Sequence, residues 1–277
     1  MKTGWHWRLI VYVILASGVF VTIIPFIYMV MTSFVTNAFV LPRPYEIFTV
    51  RPNLHNYIDA LQNNNFIRYF LNSTLVTGVT MAGALFFGSL TAYGFARFPF
   101  WGKEVLFKIF LFTLMVPAVL NIVPQFTVIQ SLGLVNTYWG LWLLYIGGGM
   151  VGTTFFLRGF FESVPRELEE SVVIDGGNSW TIYRHIYVPL SLPALGTQAI
   201  FSFQATWDEY FMALTILKSE SLRTLPIALQ LLFGKYASDW GLIFAASIIV
   251  LLPVVIIYVL FQKRFVQSGF AEGALKG

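Results

Sequence analysis

The chain contains no cysteine, which excludes disulfides, thiolate nucleophiles and cysteine-ligated metal sites together. Charge is scarce as well: Asp, Glu, Lys and Arg make up 11% of the 277 residues, against about a quarter in soluble domains. The basic residues are scattered and form no long run, so no nucleic-acid partner is expected. The sequence also lacks a G-x-x-x-x-G-K-[ST] phosphate loop, an H-E-x-x-H pair and a G-x-S-x-G nucleophile elbow. His6, His55 and His185 fall in separate segments and make no metal-ligand cluster. These absences argue against an enzyme, and no catalytic residue, metal or cofactor is expected in this chain.

What the sequence does have is apolar surface: 57% of residues are hydrophobic and 18% aromatic, a composition that suits lipid. Six stretches are long enough to cross hydrocarbon as helices, about residues 9–31, 69–95, 105–128, 139–156, 192–217 and 240–261. The expected fold class is therefore all-α, a polytopic membrane protein with six transmembrane helices in one transmembrane domain spanning residues 1–277. The first stretch follows Lys2 and Arg8 as a signal peptide would, but it is too long for an h-region and no A-x-A site follows, so it reads as a retained helix.

With a cytoplasmic N-terminus, 11 of the 17 basic residues fall on the inside and 6 on the outside, among the latter Arg43, Arg51, Arg68, Lys218, Arg223 and Lys235. That bias follows the positive-inside rule and puts both termini in the cytoplasm. Trp5, Trp7, Tyr138, Trp139 and Trp240 sit near span ends, where amphipathic rings anchor at the headgroups or simply pack. Pro25, Pro117, Pro124 and Pro253 lie within spans, where a missing amide donor and ring clash predict kinks.

The longest cytoplasmic connection, about residues 158–190, reads FFESVPRELEESVVIDGGNSWTIYRHIYVPLSLP through the next span's first prolines. Pro165 followed by Glu167, Glu169 and Glu170 suits a helix N-terminus, where proline is tolerated and carboxylates complement the dipole. Gly176 and Gly177 can take the positive φ that ends a helix, and Asn178 can cap the next one. The expected unit is helix, tight turn, helix, with Pro189 and Pro193 marking entry into the fifth span.

These residues resemble the signature loop of permease subunits in bacterial ABC importers, which runs E-A-A, two residues, D-G, then I-x-x-P. Glu170-Ser171-Val172, Asp175-Gly176, Ile186 and Pro189 stand at that spacing. Ser171, Val172 and Gly177 occupy positions where the family usually has alanine. The resemblance implies that Glu170, Ser171, Asp175, Gly176, Gly177, Ile186 and Pro189 couple the chain to an ATPase. It also implies partners: a second homologous permease subunit, two ATP-binding subunits that bring ATP and Mg, an extracytoplasmic sugar-binding protein and the lipid bilayer. A location in the bacterial or archaeal cytoplasmic (inner) membrane follows from it.

Similarity to the maltose-type, carbohydrate-importing branch covers nearly the whole chain. It rests on Asn56-Tyr57, Asn72-Ser73, Ala92-Tyr93-Gly94-Phe95-Ala96-Arg97-Phe98, Gly133-Leu134 with Thr137, and the terminal Gly273-Ala274-Leu275-Lys276-Gly277. Trp207-Asp208-Glu209-Tyr210 resembles the branch's W-N-E/D-F/Y element, with Asp208 in place of the usual asparagine. Two adjacent carboxylates in a span are costly unless they face water, partner groups or the bundle interior, so these four residues are candidates for the pathway or a gate, or for a structural role. The outer segment Ser219 to Asp239 resembles the loop through which such permeases reach their binding protein, and the tail from Gln262 resembles tails that lie against the ATPases. The rival readings are an ion-coupled secondary transporter and an ABC permease for a polyol or phospho-sugar.

Overall fold

The computed structural model describes residues 5–35, 52–236 and 239–274, with side chains through residue 260. Arg43, Arg51 and the final Leu275-Lys276-Gly277 lie outside the described residues. Helices dominate, and no strand occurs among the described residues. In chain order they are α1 (Trp5–Ser33), α2 (His55–Asn63), α3 (Phe66–Arg97), α4 (Lys103–Met115), α5 (Ile122–Ser131), α6 (Tyr138–Glu162), α7 (Glu167–Ile174) and α8 (Ser179–Ile182). After a π-helical turn (Tyr183–Tyr187) come α9 (Val188–Leu190), α10 (Leu192–Trp207), α11 (Phe211–Ile216), α12 (Leu225–Lys235) and α13 (Trp240–Ala274). Four helices, α1, α3, α6 and α13, are long and apolar enough to cross a membrane, and the total reaches six if each of two bent pairs is one span.

Two expected spans are corrected. The stretch 105–128 is not one helix: α4 and α5 meet at 99°. The cause is Pro117, which pushes Val116 to an extended ψ of 120° and leaves only a 3₁₀ turn, Ala118–Asn121, before α5 begins. The stretch 192–217 is interrupted as well, because α10 stops at Trp207 and α11 starts after three intervening residues, at Phe211. Upstream, Ser179–Leu190 meets α10 at 76°, with the break at Ser191 just before Pro193. By contrast, Pro25 and Pro253 lie inside α1 and α13 without ending either helix, and Pro124 falls in the first turn of α5, where its missing amide costs no helical bond. The segment expected as an outer loop, Ser219 to Asp239, is largely α12, whose Leu225 and Ile227 are buried.

The chain divides into two compact units, residues 1–67 with 228–252 and residues 68–227 with 253–277. In the first, the Asn56 side chain donates to the carbonyls of Ser33 and Val35, each at 2.9 Å, and Tyr57 Oη pairs with Ser33 Oγ at 2.7 Å. Gly241 completes this knot, since an added Cβ would lie 2.3 Å from the Val35 carbonyl oxygen. Asn56 and Tyr57 thus fasten the end of α1 to α2, a packing reason for the pair.

The second unit is built on α3 and α6. These helices approach closely through small residues, as membrane helices do when packing rather than water exclusion drives association. A Cβ on Gly88 would fall 2.5 Å from Thr153 Cβ and 3.1 Å from the Met150 carbonyl oxygen, and one on Gly149 would fall 2.8 Å from Ala84 Cβ. Gly88→Val is therefore expected to destabilise the chain by about 2–3 kcal/mol, read as a lowered thermal midpoint in detergent. Gly83→Ala should cost less, because what it meets is the flexible tip of Ile146.

Two apolar clusters lie toward opposite ends of α3. One gathers Tyr93, Leu157, Phe161, Ile182, Tyr183 and Tyr187; the other gathers Val76, Ile129, Leu141, Met212, Ile216 and Ile227. Each underlies one of the candidate sites.

Candidate functional site

The connection after α6 folds as its sequence chemistry demands. Glu167, Glu169 and Glu170 occupy the first turn of α7, complementing its dipole. The helix closes with Gly176, whose φ of +80° turns the chain so that the Gly177 amide reaches the Val172 carbonyl at 2.8 Å, beside the Gly176 amide on the Val173 carbonyl at 3.0 Å. Gly177 keeps an ordinary φ, so only one of the two glycines provides the left-handed turn. Asn178 then caps α8, its Oδ1 accepting from the Thr181 amide at 3.0 Å and the Thr181 hydroxyl at 3.1 Å.

Gly177 has a different duty. A Cβ there would fall 2.4 Å from Val172 Cγ1 and 2.9 Å from the Val172 carbonyl oxygen. Two of the three departures from alanine in the signature loop therefore explain each other: valine at 172 fills the space that glycine at 177 vacates. Ser171, the third, turns its hydroxyl back to the Leu168 carbonyl at 2.8 Å. Gly177→Ala alone should destabilise by about 1–3 kcal/mol, and adding Val172→Ala should recover about 1 kcal/mol of that in a double-mutant cycle of thermal unfolding.

The tip of this projection carries exposed apolar groups. Ile174 is 85% exposed and Trp180 52%, with Leu168 and Val173 also in solvent. Glu170, Asp175 and Pro189 are exposed around them, while Ile186 packs inward against the Tyr183–Tyr187 cluster. Trp180 stacks toward Tyr183 at 5.3 Å, and Tyr183 Oη pairs with Ser89 Oγ of α3 at 2.7 Å. Behind α7 lies an open cleft of about 440 Å³ lined by Arg97, Arg166, Glu169, Glu170, Val173 and Ile182. Arg97, the last residue of α3, pairs there with Glu169.

The second cluster surrounds the break between α10 and α11. Glu209 Oε1 accepts from the Met212 amide at 2.7 Å and Oε2 from the Ala213 amide at 3.0 Å, and Tyr145 Oη also donates to Oε2. This carboxylate replaces the carbonyls a continuous helix would supply, which is why α11 can restart at all. Trp207 is buried, stacked on Phe203 at 5.2 Å and edge-on to Phe70 at 5.7 Å. Tyr210 is half-buried against the Met212 cluster. Asp208 caps the end of α10 and is exposed, with no partner for its carboxylate among the described residues.

A cavity of about 370 Å³ opens beside this break, between α5, the Gly148-Gly149 stretch of α6, α10 and α11. Its walls are mostly apolar, and its polar groups are those of Gln125, Tyr145, Ser202, Thr206 and Glu209. Of the four residues in the Trp207–Tyr210 element, only Glu209 reaches it. No cluster of three or more His, Asp or Glu able to hold a metal occurs among the described residues.

Residues 84–268 match the family of binding-protein-dependent transport system inner membrane components. The chain belongs to that family. Relatives of this inner-membrane component align over almost their full lengths. It is 35% identical to a probable ABC transporter permease protein, YurM, of Bacillus subtilis, across 91% of this chain and 83% of that one. It is 33% identical to the trehalose/maltose transport system permease protein MalG of Thermococcus litoralis, across 93% and 92%. A third relative is the diacetylchitobiose uptake system permease protein NgcG of Streptomyces coelicolor, 32% identical across 90% and 82%. The fold is similar to a chain in the crystal structure of a bacterial ABC transporter involved in import of the polysaccharide alginate, with a TM-score of 0.82 at 23% identity, covering 95% of this chain and 98% of that one.

The residues singled out from sequence thus fall into two separate groups, one at each apolar cluster. Sequence reasoning missed Glu169, Tyr187 and Tyr145, whose roles come from partners distant in the chain. It also missed what Asn72, Ser73 and Asn136 do. Asn72 donates to the carbonyls of Ser221 and Arg223, Ser73 accepts from the Leu225 amide, and Asn136 Oδ1 accepts from the amides of Lys218 and Ser219. Together they pin the segment leading into α12. The one available signal was Asn136 beside Gly133, a pair suited to the positive φ both adopt.

Proposed function

We propose that this inner-membrane component forms half of a translocation pathway for a sugar or oligosaccharide, delivered by an extracytoplasmic binding protein and driven by two separate ATPase subunits using ATP and Mg. A second, homologous permease supplies the other half. The observation that carries this reading is the chain-long similarity to permeases whose cargo is carbohydrate. The cavity beside α11 agrees in chemistry, since a carboxylate, hydroxyls and an amide around apolar walls suit hydroxyl-rich solutes. Both termini and the α7–α9 projection belong on the cytoplasmic side in this reading, as the distribution of basic residues requires.

The mechanism is alternating access. The ATPases grip the α7–α8 tip through Ile174 and Trp180, with Glu170, Ser171, Asp175 and Gly176 shaping the contact and Gly177, Ile186 and Pro189 holding its frame. They move the permease because they favour one position of the tip over another; a partner with equal affinity for both would shift nothing.

Reconstitution of the chain with its partner permease, ATPases and binding protein tests the proposal. Uptake of a sugar identified by profiling the binding protein's ligands should stop with vanadate. Vanadate-resistant uptake driven by an ion gradient would establish a secondary transporter instead, and a binding protein selective for a polyol or phospho-sugar would replace the sugar.

A further inference from the structure

We propose that Arg97, Glu169 and Tyr187 form the mechanical joint that makes α7 and the end of α3 move as one piece, so that displacement of the projection is delivered to the membrane helices through α3. The inference rests on the coupling reading of the α7–α8 projection and specifies how that projection acts.

The Arg97 side chain is only 8% exposed, and its Nε lies 3.0 Å from Glu169 Oε1. Its terminal nitrogen donates to the Val164 carbonyl, in the short link between α6 and α7. Tyr187 Oη donates to the same Glu169 oxygen at 2.6 Å, and the guanidinium lies 5.2 Å over the Tyr187 ring. Tyr187 is fully buried and packs on Tyr93 of α3 at 4.9 Å and Phe161 of α6 at 5.0 Å. One carboxylate on α7 is thus held by a cation from α3 and a hydroxyl from the π-helical turn, at the point where three helices converge.

Such an arrangement is directional in a way that apolar packing is not. Apolar contacts let helices slide, whereas a partly buried ion pair that loses one partner leaves an uncompensated charge, so separating α7 from α3 is strongly resisted. Arginine suits this place because it keeps its charge while a terminal nitrogen donates to the Val164 carbonyl and Nε meets Glu169 as an ion-pair contact rather than an aligned hydrogen bond. The other charged groups at the joint, Arg166 and Glu170, are of opposite sign and line its open side. A π-helical turn next to it is a feature often found where a helix must present one side chain out of ordinary register. All three are positioning residues, acting through the placement of α7 against α3.

The absence of cysteine allows a direct test. In the complete transporter in proteoliposomes, Arg97→Cys/Glu169→Cys removes the joint and a short bifunctional maleimide rebuilds it covalently, with reagent-treated wild-type transporter as control. Without the reagent, solute moved per ATP hydrolysed should fall about tenfold while assembly with the ATPases is unchanged, and cross-linking should restore most of the ratio. A wild-type ratio in the unlinked protein, or a ratio that stays low after the link has formed, overturns the proposal. Tyr187→Phe keeps the ring and removes one hydroxyl, so it covers the case in which the double variant fails to fold. It should lower the ratio about threefold with assembly intact, and an unchanged ratio likewise overturns the joint. Failure of the joint would appear as an unaltered ratio in the unlinked variants, whereas failure of the coupling reading would appear as assembly indifferent to changes at the α7–α8 tip.

Discussion

Ile174→Asp is expected to weaken docking of the ATPase subunits about a hundredfold, if the α7–α8 tip docks them as proposed, while leaving the permease itself folded. Ile174 is 85% exposed, so the substitution removes little packing within the chain and places a charge where a charge is already solvated. In the complex the same position would be the centre of a contact that excludes water, and an unpaired carboxylate there costs the partner its desolvation as well as the lost apolar contact. The affinity of the purified permease pair for its ATPases should fall by about a hundredfold, or roughly 3 kcal/mol, with the thermal midpoint of the permease unchanged. Trp180→Ala should fall in the same direction, since its ring combines exposure with support from Tyr183 beneath it. Glu170→Lys should act more weakly and in a salt-dependent way, as expected of a charge at the rim of a contact. Wild-type assembly of Ile174→Asp would remove the α7–α8 tip from the interface.

What sequence could show here follows from which interactions are local. The long apolar stretches announced helices because lipid tolerates little else, and Pro117 announced the break between α4 and α5 through its own ring and missing amide. The turn at Gly176 and the cap at Asn178 were equally legible, both being satisfied within a few residues. The interruption after Trp207 was not. Its cause is a carboxylate that substitutes for helical carbonyls, and from sequence the same acid could equally serve the pathway, a gate or the structure. Nor was the Arg97–Glu169 pair legible, because its partners meet only when α3 and the segment after α6 come together. Ser219 to Asp239 was read as an outer loop from its resemblance to a family loop, yet the apolar residues at its centre form α12 and bury Leu225 and Ile227.

Glu209→Ala should be among the most damaging substitutions in the chain, and for a structural reason. It strips acceptors from the buried amides of Met212 and Ala213 and from the Tyr145 hydroxyl, donors that the alanine methyl cannot satisfy. At about 1–3 kcal/mol for each orphaned donor, a loss near 4 kcal/mol is expected, with fraying of α11 and collapse of the cavity wall. Transport should drop to about a hundredth of wild type or less, together with a lowered thermal midpoint. Glu209→Gln retains one acceptor oxygen and should fall between. Asp208→Asn is the informative neighbour, because that carboxylate is exposed and holds no other element in place, so its midpoint should stay at wild type. Any change in transport or solute preference at unchanged stability would then put Asp208 in the path of the solute. Trp207→Ala belongs with Glu209, since the buried ring stacked on Phe203 and Phe70 contributes about 3–5 kcal/mol through packing. The adjacent acids are therefore separable by experiment: one is read as lost stability, the other as altered transport in a protein that remains intact.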